Sequence, residues 1–318
     1  MQKRPQELNS GRRNFIGAAA SLAVTGSLAP LARGQSLEEP GAALERSAIR
    51  RVRIPKTGEL LPCIGLGTSR TFDEDPTAAN PNLVAVMSRF LGWGGSLVDS
   101  SPMYKRSESV VGALCKTLGR DDLFYATKVW TKSGKQAGID QMTNSETLMG
   151  TKRFDLMQVH NLWGLEEQLE TLQEWKASGR LRYAGVTEMR DMAKVESLVQ
   201  SDALDFIQIP YSVTDRTVEE RVLPACIEHQ VGVLVMRPFQ AGKLFGAVKG
   251  KDLPAWAAEY EATSWGQLFL KFILGHDATT IPIPATSKPH HLDDNMAAGA
   301  GPALDAAGRK KLTDLLES

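Results

Sequence analysis

Four side chains able to hold or move a proton stand at the ends of apolar runs or just beyond them. In "VDSSPMYKRSE" (98–108) an apolar pair runs into Asp99, and Tyr104 follows five positions later among small, polar and basic residues. Lys128 lies at the end of "LFYATKV" (123–129), and His160 closes "LMQVH" (156–160). A carboxylate, a phenol, an ammonium and an imidazole are the groups of general acid–base chemistry. A free phenol, with a pKa of about 10, needs a neighbouring cation to exchange its proton readily near neutral pH. Taken singly, Asp99 reads equally well as a strand-end cap and His160 as a satisfied core histidine. A lysine and a histidine that both end apolar strands are not what packing alone selects.

The elements that must bring these groups together are short apolar runs alternating with amphipathic segments. Eight runs read as strands: 63–67, 96–100, 123–129, 156–160, 182–187, 205–210, 232–236 and 279–283. Between them, "SESVVGALCKTLG", "LEEQLETLQEWKASG" and "TVEERVLPACIEHQ" read as helices, the first with Ser107 as its N-cap and Gly119 as its stop. Continuous apolar strands alternating with helices imply a parallel sheet covered on its outer face. Eight such units in about 270 residues predict an α/β fold closed as a (β/α)8 TIM barrel. Ahead of it, "RVRIPKTGELLP" (51–62) alternates around Thr57-Gly58 as an N-terminal β-hairpin. A doubly wound nucleotide fold is disfavoured, because "GLGTSR" (65–70) lacks the third glycine of the dinucleotide fingerprint. In a TIM barrel, functional residues gather at the C-terminal ends of the strands, which is where Asp99, Lys128 and His160 fall.

The ordered set in this frame resembles the aldo-keto reductase superfamily. That family's "IDTAxxYGxSExxxG" corresponds to "VDSSPMYKRSESVVG", its "GVSN" to "GVTE", its "PYS" to Pro210-Tyr211-Ser212 and its "IPGTSKPEHLEEN" to "IPATSKPHHLDDN" (283–295), so the resemblance spans roughly 51–298. It implies an NADP(H)-dependent oxidoreductase that reduces aldehyde or ketone carbonyls, with hydride from nicotinamide and a proton from Tyr104. Lys128 is then the cation that lowers the phenol's pKa, Asp99 its counter-ion, and His160 the group that orients the carbonyl and steadies the developing alkoxide.

The resemblance also places the cofactor on the barrel rim. Thr286, Ser287 and Lys288 are expected at the 2′-phosphate, with Asp294 and Asn295 at the adenine. His291 stands where many relatives carry arginine, so NAD remains possible beside NADP. Gln208 is expected at the nicotinamide carboxamide and Thr187 beside it, with Glu188 replacing an asparagine. Met236 takes the place of a stacking aromatic, and Arg237, Gly242 and Lys243 suit a phosphate-wrapping loop. Trp130 and Trp163 directly follow the catalytic strand ends and are expected to wall an apolar substrate pocket. The departures at Glu188 and Met236 keep open an alternative, a nucleotide-binding barrel that acts as a redox-sensing or regulatory subunit with little turnover. A barrel hydrolase lacks support, since no second strand-end carboxylate or HxH pair is present.

The first 34 residues read as a twin-arginine (Tat) signal peptide. Arg12 and Arg13 precede Asn14, Phe15 and Ile16, and a weak Ala-rich apolar run follows. The expectation is export by the Tat translocase to the periplasm, with 35–50 as a linker, 51–318 as the barrel and no stable membrane span. A disordered basic tail is the plainer alternative. The whole chain balances 37 basic against 37 acidic residues, which gives no charge reason to expect nucleic acid as a partner. Cys63, Cys115 and Cys226 are far apart and lack a CxxC, so neither a metal site nor a disulfide is expected.

Overall fold

The computed structural model describes residues 49–278 and 280–317; the expected signal at 1–34 and nearly all of the linker lie outside them. The chain opens with the antiparallel hairpin β1 (Arg51–Arg53) and β2 (Leu60–Pro62). Its turn closes on the Ile54 carbonyl, which accepts the N–H of Gly58 at 2.8 Å, with Gly58 in the left-handed region at φ 73°.

Eight parallel strands follow: β3 (Leu66–Gly67), β4 (Leu97–Asp99), β5 (Phe124–Val129), β6 (Phe154–His160), β7 (Leu181–Thr187), β8 (Phe206–Pro210), β9 (Gly232–Met236) and β10 (Thr280–Pro282). Each of the eight predicted runs overlaps one of them, although β6 and β7 begin earlier than predicted. Each pairs with the next in sequence, and the ends meet: Gly65 N–H donates to the Pro282 carbonyl at 3.0 Å, and Gly67 forms a parallel bridge with Ala285. The sheet is thereby a closed (β/α)8 barrel. Its principal helices are α1 (Pro81–Gly92), α2 (Ser107–Leu118), α3 (Lys135–Met149), α4 (Leu165–Ala177), α5 (Met192–Val199), α6 (Val222–Glu228), α7 (Lys243–Ala247), α8 (Trp265–Leu274), α9 (Pro289–Ala297) and α10 (Ala306–Glu317).

The period-2 alternation of strands sorts side chains between two cores. Outward residues such as Val98, Tyr125, Val129, Met157, Val186, Ile207 and Val233 join the layer between sheet and helices. Inward residues build a second cluster: Leu97, Phe124, Ala126, Leu156, Tyr183, Phe206, Leu234 and Ile281. The hairpin seals the floor of that cluster with Ile54 and Leu61, which are 1% and 3% exposed. Moving along the strands, the inward positions change character, from Phe124 and Ala126 to Lys128 and from Leu156 to Gln158 and His160.

Two helix expectations need correction. Arg106, not Ser107, is the N-cap of α2, because the Ser107 hydroxyl donates to the Tyr104 carbonyl at 2.8 Å; Gly119 does end the helix, at φ 61°. "TVEERVLPACIEHQ" splits into a 3-10 turn (Thr217–Glu219) and α6, with Arg221 at φ −137° between them.

Candidate functional site

Strand register brings the ionisable ends to one rim. Lys128 sits opposite Gln158, and His160, Thr187 and Gln208 are paired in one row across β6, β7 and β8. Lys128 is fully buried, and its Nζ donates to Asp99 Oδ2 at 2.6 Å and to the Ser100 carbonyl at 2.7 Å. The other Asp99 oxygen accepts Gln158 Nε2 at 3.1 Å. Gly185 makes room for that glutamine, since a Cβ there would lie 3.3 Å from Gln158 Cγ and 2.6 Å from the Phe206 carbonyl oxygen.

Tyr104 reaches this pair from the loop after β4. It ends a 3-10 turn (Pro102–Tyr104) whose N-cap, Ser101, accepts the Met103 N–H on its Oγ at 3.2 Å. The Lys128 Nζ lies 5.1 Å from the Tyr104 ring centre, and Lys128 and Ser69 both act to lower the pKa of the hydroxyl. The His160 ring meets the Tyr104 ring edge-on, with centres 5.9 Å apart. Its Nδ1 shares a 2.9 Å hydrogen bond with Ser101 Oγ.

Electrostatics depart from the sequence reading at Tyr104. Burial raises the phenol's pKa more than Lys128 lowers it, and Asp99 adds to the rise, so the net direction is above the ordinary value. The expectation of a phenol made more acidic than usual is thus corrected: it holds its proton at neutral pH. Burial by itself would lower the pKa of Lys128, but Asp99 and Tyr104 together outweigh it and hold the ammonium charged. Burial, with Lys128 adding to it, lowers His160 to about 3, so its imidazole is neutral.

The tryptophans form a wall beside this cluster. Trp130 and Trp163 stack at 5.0 Å between ring centres, Trp130 lies 6.4 Å from the His160 ring, and the buried Trp130 Nε1 has no partner among the described residues. Trp163, together with Met103 on the Tyr104 turn, is among the large apolar side chains that stay exposed.

The residues expected at a dinucleotide fall into three groups. Gln208 is buried on the rim row, and its Nε2 lacks any partner among the described residues, which fits a carboxamide oxygen. Beside it, Thr187 Oγ1 accepts the Asn161 N–H at 3.1 Å and keeps its own proton to donate. Glu188 does not face this spot with a free carboxylate: its Oε1 accepts the N–H groups of Met189 and Arg190, both at 2.8 Å. Met236 packs against the inner cluster.

A second group lines a cavity of about 220 Å³ formed by Met189, Pro210, Asp215, Arg237, Gln240 and Lys243. Two cations there suit a diphosphate. The loop around them runs left-handed through Gln240 (φ 49°), Ala241 (φ 56°) and Gly242 (φ 91°).

The third group surrounds the start of α9. Thr286 Oγ1 accepts the Lys288 N–H at 3.0 Å, Pro289 opens the helix, and Lys288, His290 and His291 are exposed. Ser287 is half-buried and Asn295 buried, while Asp294 is held by Ser264 and Gln267, both at 2.8 Å. Partial burial, His290 and Lys288 depress the pKa of His291, so Lys288 carries the permanent charge here.

Reading the sequence missed several members of the cluster. Ser101 bonds the imidazole, Gln158 bonds Asp99, and Ser69 acts on the phenol. Glu108, 1% exposed, accepts Thr127 Oγ1 at 2.6 Å and Ser145 Oγ at 3.1 Å just behind Lys128. Inward alternation two residues before His160 was the available signal for Gln158.

The sequence and the fold have known counterparts. The model of the aldo/keto reductase family matches residues 63–317. The chain belongs to the aldo/keto reductase family. Among curated relatives of this aldo/keto reductase, the methylglyoxal reductase YeaE of Escherichia coli is 26% identical over 245 residues, covering 74% of this chain and 85% of the relative. The aldo-keto reductase YhdN of Bacillus subtilis is 29% identical over 271 residues, covering 72% and 81%. Among solved structures, an aldo/keto reductase of Klebsiella pneumoniae in complex with NADP and acetate superposes with a TM-score of 0.73 at 25% identity, covering 85% of this chain and 96% of that one.

Proposed function

We propose that this aldo/keto reductase is an NADP(H)-dependent enzyme that reduces aldehyde or ketone carbonyls, with Tyr104 as the proton donor. The observation that carries the reading is the buried Lys128–Asp99 pair in contact with a protonated Tyr104, beside a neutral His160. A dinucleotide held by these rim residues would supply the hydride for the carbonyl carbon. Tyr104 gives its proton to the carbonyl oxygen, and the Lys128 ammonium, fixed by Asp99, stabilises the phenolate that remains. His160 orients the carbonyl through its N–H without competing for the proton. Trp130 and Trp163 shield the reaction from water and favour aromatic or small aliphatic carbonyls.

On the cofactor side, Gln208 and Thr187 take the carboxamide, Arg237 and Lys243 the diphosphate, and Lys288 with Thr286 and Ser287 the 2′-phosphate. The solved relatives with bound NADP or NADPH support the same choice. With His291 uncharged near neutral pH, the margin of NADPH over NADH is expected to widen as the pH falls and the imidazole gains charge.

The engagement of Glu188 within its own loop favours a second reading, a nucleotide sensor with little turnover. Purified protein mixed with 4-nitrobenzaldehyde and either NADPH or NADH separates the two. Steady consumption of NADPH supports the enzyme; tight nucleotide binding without consumption supports the sensor.

The Arg12-Arg13 motif further supports export by the Tat translocase to the periplasm, a route for proteins that fold first. The barrel would load its dinucleotide before crossing. Protein recovered from the periplasm free of nucleotide counts against that order of events.

A further inference from the structure

Ser101 occupies the position where the family pattern "IDTAxxYG" has alanine, and its hydroxyl is placed to act on two groups at once. It is fully buried, as is nearly all of His160, which is 5% exposed. Its Oγ accepts the Met103 N–H at 3.2 Å, which fixes the turn that ends in Tyr104. The same Oγ lies 2.9 Å from His160 Nδ1. A hydroxyl has one proton to give, and the only acceptor within hydrogen-bonding distance among the described residues is that nitrogen. A neutral imidazole that accepts at Nδ1 must carry its proton on Nε2. His160 Nε2 makes no bond with any described residue, and the edge-on Tyr104 ring lies 5.9 Å from the His160 ring, centre to centre.

We propose that Ser101 is a positioning residue that fixes the tautomer of His160, holding the proton on Nε2 so that both Nε2–H and the Tyr104 hydroxyl can donate to one carbonyl oxygen. The role of the tautomer in turnover rests on the carbonyl-reductase reading above; the tautomer itself does not. Without the serine hydroxyl, burial still keeps the ring neutral, but nothing on the Nδ1 side selects between the two tautomers. Part of the population then turns a lone pair, rather than a proton, towards the substrate oxygen.

The test is nitrogen-15 NMR of the histidine rings in the full chain, with His160 assigned by its loss in His160→Gln, alongside steady-state kinetics. In the wild type, His160 is expected as the Nε2–H form, with Nδ1 unprotonated and the signal constant from mildly acid to alkaline pH. Ser101→Ala is expected to populate the Nδ1–H form and to lower kcat roughly 3- to 10-fold, with the NADPH dissociation constant unchanged. Ser101→Thr keeps the hydroxyl and is expected to restore the Nε2–H signal and most of kcat, which a loss due only to disturbed packing would not do. An Nδ1–H ring in the wild type overturns the proposal, as does Ser101→Ala with the wild-type tautomer and kcat. Wild-type protein with the Nε2–H ring and no turnover on any carbonyl upholds the tautomer assignment and overturns the functional reading instead.

Discussion

The two ends of the barrel are built from the same strands by opposite rules. At the floor, Phe124, Tyr183 and Phe206 interlock, with ring centres 5.6–6.5 Å apart, and the hairpin caps them. The polar groups there are paired: Tyr183 donates to Glu59 at 2.6 Å, and Arg182 bridges Glu59 and Asp155. At the rim, the same inward positions bury a charged pair, Lys128 and Asp99, and leave Gln208 Nε2 and Trp130 Nε1 without described partners. An unpaired buried donor is a liability for folding. Its presence at one end and not the other marks the rim as the end shaped for a ligand and the floor as the end that supports it.

That contrast can be broken most sharply at Lys128. Replacing it with methionine is expected to lower carbonyl reduction by about 10²- to 10⁴-fold, and to destabilise the fold by about 3–5 kcal/mol because Asp99 is left buried and unpaired. Adding Asp99→Asn is expected to recover much of the stability in urea unfolding and none of the activity. At the floor the pattern reverses. Phe206→Ala is expected to cost about 3–5 kcal/mol of stability, while kcat of the folded fraction stays near the wild-type value.

His160 sharpens the same comparison through pH. Its folded pKa of about 3 lies below the unfolded value of about 6.5. The folded state therefore binds fewer protons between those values, and the contribution is fully present above about pH 6.5 and lost as the pH falls towards 3. Unfolding free energies measured across that range are expected to fall less steeply in His160→Gln than in the wild type. The smallest effect is expected at Lys105, at φ 56° and ψ −111° directly after Tyr104, where the family pattern has glycine. Its Nζ reaches Asp73 at 2.7 Å from a largely exposed position, an ion pair that contributes little. Lys105→Gly is expected to raise stability by about 1 kcal/mol through relief of the strained backbone, read as a higher melting temperature.

The sequence disclosed the strands because buried parallel strands are written as continuous apolar runs, and an ionisable residue at the end of such a run stands out. The hairpin was equally readable from its alternation around Thr57-Gly58. What stayed hidden depends on approach in space. The hydroxyls of Ser69 and Ser101 gain their meaning only once β4, β6 and their loops converge, although serine in the alanine place of the family pattern was a visible departure. The direction of the Tyr104 shift is not legible in sequence, because the cation can be read there whereas the degree of burial that opposes it cannot. Glu188 stands where the family pattern has asparagine, and its carboxylate accepts backbone N–H groups of its own loop, an engagement only the fold reveals.

The role of Tyr104 as proton donor is tested most directly by kcat for 4-nitrobenzaldehyde reduction in Tyr104→Phe, paired with a fluorescence titration of NADPH. The expected result is NADPH binding as in the wild type with kcat lower by about 10²- to 10⁴-fold. A phenylalanine variant that binds NADPH and still turns over at the wild-type rate would contradict it.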